Sequence, residues 1–175
     1  MKFMKLILLA GLMLSLGACA EVKMAKENTM GAPKKDAGLV YFYREKHFVG
    51  GATAYNVWEN EKAPHRLGSL GNGTYFYTYL KPGKYTFYVN GENRGASNLN
   101  IKAGQTYYLQ NRIDPGVWAA RPKLTEVTES EAMKELTGGE LKMSISAADD
   151  PNPPKDPPPE MEKDTASAPQ KPASK

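Results

Sequence analysis

The sequence predicts an all-β fold: a small antiparallel β-sandwich with one short C-terminal helix. Three observations carry this. Aromatic and β-branched residues gather in short runs, and all ten Tyr and both Trp fall between positions 41 and 118. Gly, Pro, Asn and Asp separate those runs at short intervals, as turns do between strands. Only one segment, beginning at Thr128, has the start and stop signals of a helix.

The strands follow in order. Leu39 to Arg44 is the first run, Ala52 to Glu59 the second and Arg66 to Leu70 the third. Gly71-Asn72-Gly73 predicts a tight hairpin turn, because Asn and Gly accept positive φ. Thr74 to Leu80 is the fourth strand. Lys81-Pro82-Gly83-Lys84 predicts a turn in which Pro presets φ and Gly takes the left-handed position. Tyr85 to Asn90 places Tyr85, Phe87 and Val89 on one face. Ser97 to Ile101 and Gln105 to Ile113 flank Ala103-Gly104, and Asp114-Pro115-Gly116 ends the block. Thr128-Glu129-Ser130-Glu131 fits a capping box, with Val127 set to staple onto Ala132. Ala132, Met133 and Leu136 form the apolar face, and Gly138-Gly139 stops the helix. Such a short helix needs a sheet to pack on.

The flanks differ in character. Residues 1–18 combine Lys2 and Lys5 with an apolar run from Leu6 to Leu16, too short for a permanent membrane helix, and read as a cleaved signal peptide. Residues 19–37 are polar and aperiodic, and predict a flexible tether with an r.m.s. span of about 23 Å. Residues 38–143 form the β-sandwich domain with its terminal helix. Residues 144–175 hold eight of the thirteen prolines among Lys, Asp, Glu and Ser, and predict a disordered tail.

Leu16-Gly17-Ala18-Cys19 resembles the lipobox of bacterial lipoproteins. That resemblance implies diacylation of the Cys19 thiol, cleavage before Cys19 and acylation of the new amino terminus. Three acyl chains exceed what stable anchoring needs. Ala20, rather than Asp, follows the cysteine. In Gram-negative lipoproteins this implies the outer membrane, facing the periplasm. Cys19 is the sole cysteine, so the mature chain is left without a disulfide or a thiol nucleophile.

A second resemblance covers the domain. Gly38-Leu39-Val40-Tyr41-Phe42-Tyr43-Arg44, Phe48-Val49-Gly50-Gly51, Gly68-Ser69-Leu70, Asn72-Gly73-Thr74-Tyr75-Phe76, Pro82-Gly83-Lys84-Tyr85-Thr86-Phe87, Ala103-Gly104-Gln105-Thr106-Tyr107-Tyr108 and Arg121-Pro122-Lys123-Leu124 run in series. This series resembles the lipoprotein family called domain of unknown function 2846, over about residues 38 to 137. The Pro-Gly-x-Tyr-x-Phe element also resembles the hairpin of PEGA and carboxypeptidase-regulatory-like β-sandwich repeats, which are mostly non-catalytic.

Charge and motifs exclude several classes. The leader carries two lysines and no acid, so the net charge of +4 falls to +2 on the mature chain. That is too small for a nucleic-acid-binding field. His47 and His65 lack the spacing of a metal site, so no metal and no cofactor beyond the covalent lipid is expected. Ser69, in Leu67-Gly68-Ser69-Leu70-Gly71, misses the nucleophile-elbow pattern. Glu45, Glu59, Glu61, Glu92 and Asp114 lie at strand ends or in loops, where two of them would have to converge to act as an acid/base pair.

The candidate binding residues are aromatic and basic. Tyr75, Tyr77 and Tyr79 share one face of a strand, opposite Phe76 and Leu80. With Phe76 and Leu80 inward, the tyrosines form an outward ladder, which Trp58, Tyr88, Tyr108 and Trp118 extend as a platform for sugar rings or a protein partner. Cross-strand pairing or cover by the helix is the structural alternative. Arg44, Arg112 and Arg121 are the candidates for an acidic group, with surface salt bridges as the default reading. The expectation is a lipid-anchored, non-enzymatic binding or structural module of the cell envelope. Its partners would be the membrane, through Cys19, and peptidoglycan or another envelope protein. The alternatives are a peptidoglycan binder using the tyrosines, and a hydrolase with an unrecognised carboxylate pair.

Overall fold

The computed structural model describes residues 22–48, 51–60, 63–116 and 120–153. In chain order the elements are β1 (Gly38–Arg44), β2 (Tyr55–Glu59), β3 (His65–Leu70), β4 (Thr74–Leu80), β5 (Gly83–Asn90), β6 (Arg94–Ile101), β7 (Thr106–Asp114), β8 (Arg121–Val127), α1 (Glu129–Thr137) and β9 (Lys142–Met143). They form two sheets, ordered β8-β7-β1-β4-β9 and β3-β2-β5-β6. The second sheet is antiparallel. The first is mixed, because β1 runs parallel to β7 and β4 parallel to β9.

Alternation builds the core. Val40 and Phe42 of β1, Phe76 of β4, Leu109 of β7 and Leu124 of β8 point inward from the first sheet. They meet Tyr55, Val57, Leu67, Phe87, Val89 and Leu99 from the second. Phe42 stacks on Phe76 at 5.1 Å and meets Phe87 edge-on at 5.3 Å. Burying each such ring contributes about 1.5–3 kcal/mol. Phe76 faces inward as the sequence predicts.

Two turns differ from expectation. Gly73 does take a left-handed φ of 67°, but Gly71–Gly73 leads from β3 in one sheet to β4 in the other, so it turns a corner instead of closing a hairpin. The Pro82-Gly83 element likewise joins β4 to β5 across the sheets, and Gly83 opens β5 without a positive φ. The adjacent hairpin partner of β5 is β6.

Two strands, β8 and β9, lie beyond those the sequence predicts. β8 alternates short apolar and charged residues beyond the Asp114-Pro115-Gly116 stop. Its Pro122 is tolerated because β8 lies at a sheet edge. The glycines Gly91 and Gly95 make room there: a Cβ on either would collide with Pro122. β9 is two residues long and continues into Ser144 and Ser146, which lie within the stretch expected to be tail. Ser144 N–H donates to Tyr75 O at 2.7 Å beside β4, and Ala147 N–H donates to Leu67 O at 2.7 Å beside β3. One segment thus covers an exposed edge of each sheet, where open edges invite aggregation. The folded unit reaches past 143 as a result, and residues 154–175, the rest of the expected tail, lie outside the described residues.

α1 begins as predicted. Glu131 N–H donates to Thr128 Oγ1 at 3.3 Å and Thr128 N–H donates to Glu131 Oε2 at 3.0 Å. Ala132 and Leu136 are buried against the outer face of the first sheet, with Tyr41, Tyr43 and Tyr108.

Candidate functional site

The outer face of the first sheet is tyrosine-rich because β1 and β4 are antiparallel neighbours in register, with Tyr41 opposite Tyr77 and Tyr43 opposite Tyr75. Tyr41 lies 5.4 Å from Tyr77 and stacks on Tyr108 at 5.4 Å, and Tyr77 meets Tyr79 edge-on at 6.0 Å. The predicted ladder therefore exists, but it is not an open platform. Tyr75 is 2% exposed, and Tyr77 and Tyr79 are half-buried.

The cover is the segment 22–37, expected to be a free tether. It runs the length of the sheet as a strap. Ala25 N–H donates to Met143 O at 2.9 Å, and Ile145 N–H donates to Lys23 O at 2.8 Å. Asn28 Oδ1 accepts from Met143 N–H at 2.8 Å. The tyrosine hydroxyls then hold the strap's backbone. Tyr75 donates to Thr29 O at 3.0 Å, and Tyr79 donates to Ala32 O at 2.9 Å. Tyr41 Oη accepts from Gly31 N–H at 2.7 Å and donates to Gly31 O at 3.2 Å. Lys34 Nζ sits 3.7 Å from the centre of the Tyr79 ring. Burial pushes the Tyr41 and Tyr43 phenols up to about 12, and raises those of Tyr75, Tyr79 and Tyr108. These hydroxyls stay protonated, and therefore stay donors, at any physiological pH.

The arginines do not converge. Arg44 shares the inward face of β1 with Val40 and Phe42, so it points between the sheets. It is 1% exposed, donates to Thr53 O at 2.5 Å and lies 5.3 Å from the Tyr55 ring centre. Burial lowers its pKa. Arg112 is exposed on the other face of that sheet, where its Nε donates to Gln110 Oε1 at 2.6 Å. Gln110 in turn donates to Glu45. Arg121 forms an ion pair with Glu92 at 2.6 Å. Trp58 sits on the outer face of the second sheet, opposite Tyr88 and Arg66, and is only 6% exposed. It is on a different sheet from the tyrosines and does not extend their ladder. Cys19, Glu61 and Trp118 lie outside the described residues.

Ser69, Glu45 and Glu59 are held in contacts with neighbouring side chains. Ser69 is buried, donates to Asn56 Oδ1 at 2.6 Å and accepts from Arg66 at 3.0 Å. Glu59 lies 3.3 Å from His65, and Glu45 lies 3.5 Å from His47. Burial raises the Glu59 carboxyl while the neighbouring His65 opposes the rise. Among the described residues, no three His, Cys, Asp or Glu side chains gather as a metal site. A groove of about 400 Å³ lies along β5 and β6, lined by Lys84, Tyr85, Thr86, Asn98, Leu99 and Asn100. It offers amide and hydroxyl groups for hydrogen bonding, and no carboxylate or imidazole lines it.

Fold and site together define a strapped β-sandwich, whose aromatic face is occupied by its own chain. The chain belongs to the family described as protein of unknown function (DUF2846), whose model matches residues 34–121, half of the sequence. Comparisons with curated proteins and with solved structures find no match.

Proposed function

We propose that this chain is a lipoprotein of the cell envelope, anchored through acylated Cys19, and that its sandwich serves as a non-enzymatic binding or structural module. In a Gram-negative cell it would sit in the outer membrane and face the periplasm. The leader supports the anchor: charge, a short apolar run, then Leu16-Gly17-Ala18-Cys19. The observation that carries the structural part is the strap. Tyr41, Tyr75 and Tyr79 direct their hydroxyls to residues 29–32 of the same chain, which favours a self-locking module over an open tyrosine platform for peptidoglycan. Of the acids named for the hydrolase alternative, Glu45 lies against His47, Glu59 against His65 and Glu92 against Arg121, so these three stand apart from one another.

Metabolic labelling with an alkyne-tagged fatty acid tests the anchor. Wild type should take up the label and fractionate with membranes. Cys19→Ser should do neither. Uptake by the Ser variant, or a soluble wild-type protein, would overturn the reading.

A further inference from the structure

We propose that the end of the sandwich at Gly71–Gly73 is seated on the bilayer, with the Phe48 side chain inserted among the lipid headgroups. This rests on the lipid-anchor reading above and adds an orientation to it. Three observations place the groups together. Val22 Cγ2 lies 3.4 Å from the point where a Cβ would sit on Gly71, so the strap begins at this turn. Only three residue steps separate Val22 from Cys19, at most about 11 Å of extended chain. The acyl chains therefore cannot leave the neighbourhood of that turn. The loop after β1 meets the same turn: His47 N–H donates to Asn72 Oδ1 at 2.8 Å, and Asn72 Nδ2 donates to His47 O at 2.8 Å. Lys46 Cβ lies 3.2 Å from the Cβ position of Gly73.

The chemistry of that end suits a lipid surface. Phe48, the residue after His47, is the one large apolar side chain among the described residues that is completely exposed. A phenyl ring held in water beside a membrane anchor gains by entering the headgroup region. Lys46 is exposed next to it, and Lys142, whose N–H donates to Gly73 O at 3.0 Å, is exposed on the adjoining strand. Both would favour anionic headgroups. Two of the carboxylates towards this end have partners: Asp150 pairs with Lys23 at 2.9 Å, and Glu45 accepts from Gln110 and lies 3.5 Å from His47, while Glu140 is exposed beside Lys142. The reciprocal His47–Asn72 bonds fix the base of the loop, so Phe48 is presented from a held backbone rather than a free one.

The test uses the full mature, acylated protein in vesicles of phosphatidylethanolamine and phosphatidylglycerol. Acylation occupies the thiol of Cys19, so Phe48→Cys supplies a single labelling site for an environment-sensitive fluorophore. Lys84→Cys, at the opposite end of the sandwich, is the control. The label at 48 should show blue-shifted emission and be quenched by nitroxide-bearing lipid, most strongly by nitroxides within about 5–10 Å of the headgroup boundary. The label at 84 should show neither change. Equal behaviour at the two sites, with intact mass proving acylation of Cys19, overturns the orientation and leaves the anchor standing. An unmodified Cys19 by mass removes both. Phe48 makes no core contact, so its replacement does not endanger the fold.

Discussion

Tyr41 and Gly31 are joined twice through a single phenolic oxygen, which accepts from Gly31 N–H at 2.7 Å and donates to Gly31 O at 3.2 Å. A side chain of β1 thereby substitutes for a strand partner and satisfies both backbone groups of one strap residue. Tyr41→Phe keeps the ring and its stack on Tyr108 but leaves both groups of Gly31 without that partner. We expect a loss of about 1–3 kcal/mol in urea unfolding. Amide exchange should quicken across residues 25–34 before it quickens in β1. A uniform change through the sheet would show that the strap and the sandwich open as one.

Removing residues 22–33 uncovers the tyrosine face as well as loosening it. The truncated protein should bind an apolar dye that the full chain does not, and should self-associate in sedimentation, since contiguous apolar surface beside a short β9 edge is an association site. Unchanged dye binding and a monomeric truncation would mean that α1 alone covers that face.

Gly68 is small because of Phe76. A Cβ there would lie 2.8–2.9 Å from three atoms of that ring, in the middle of the core. Gly68→Ala should cost about 1–3 kcal/mol by overpacking, read as a lower denaturation midpoint. Gly104 is the contrast: a Cβ meets nothing within 4 Å, and the cost of Ala comes solely from its φ of +73°.

Alkaline pH should unfold the protein through its buried phenols. Tyr41 and Tyr43 stand at about 12 in the fold, against an ordinary value of 10.0. The folded state therefore holds protons that the unfolded state releases, and stability falls as pH rises from about 10 to about 12. The part of the tyrosinate absorbance that comes from these buried phenols should rise together with the loss of circular dichroism in that window. In Tyr43→Phe the fall should be shallower. A tyrosinate step that Tyr43→Phe removes, appearing well before the loss of dichroism, would contradict the burial.

The helix cap gives an opposite dependence. The Thr128 N–H, then the Thr128 hydroxyl, hold the Glu131 carboxyl below the usual carboxylate range. That contribution is present at neutral pH and is lost as pH falls through the depressed value. Thr128→Ala should remove about 1 kcal/mol, visible as earlier thermal melting of α1.

Much of the fold was legible in the residues. Phe76, Phe87 and Val89 face the core because strict alternation with turn-bounded ends leaves one reading, and the Thr128–Glu131 box marks the helix start to the residue. The corner turns were less so: Gly71-Asn72-Gly73 has the composition of a hairpin, and composition does not say which sheet the next strand joins. β8 hid because its proline and charges suit an edge. For the tyrosine face the sequence offers both an open platform and a covered, cross-strand-paired surface, and the neighbouring strand favours the second. Leu39-Val40-Tyr41-Phe42-Tyr43 is apolar at every position, the signature of a strand covered on both sides. Residues 22–37 hid the cover itself. They are polar and aperiodic because a strap held through its backbone needs no side-chain pattern of its own.

The chain leaves the described fold almost where it enters it. Met24 pairs antiparallel with Ser144, and the flanking bonds run from Ala25 to Met143 and from Ile145 to Lys23. Tension applied to the two ends would pull this ribbon apart like a zipper, one bond at a time, since antiparallel partners drawn from the same end are loaded singly and not in shear. The strap would peel first while β1, β4 and β7 carried no load. The Lys23–Ile145 junction is thus a mechanical fuse, and the length of residues 22–37 is slack that it releases.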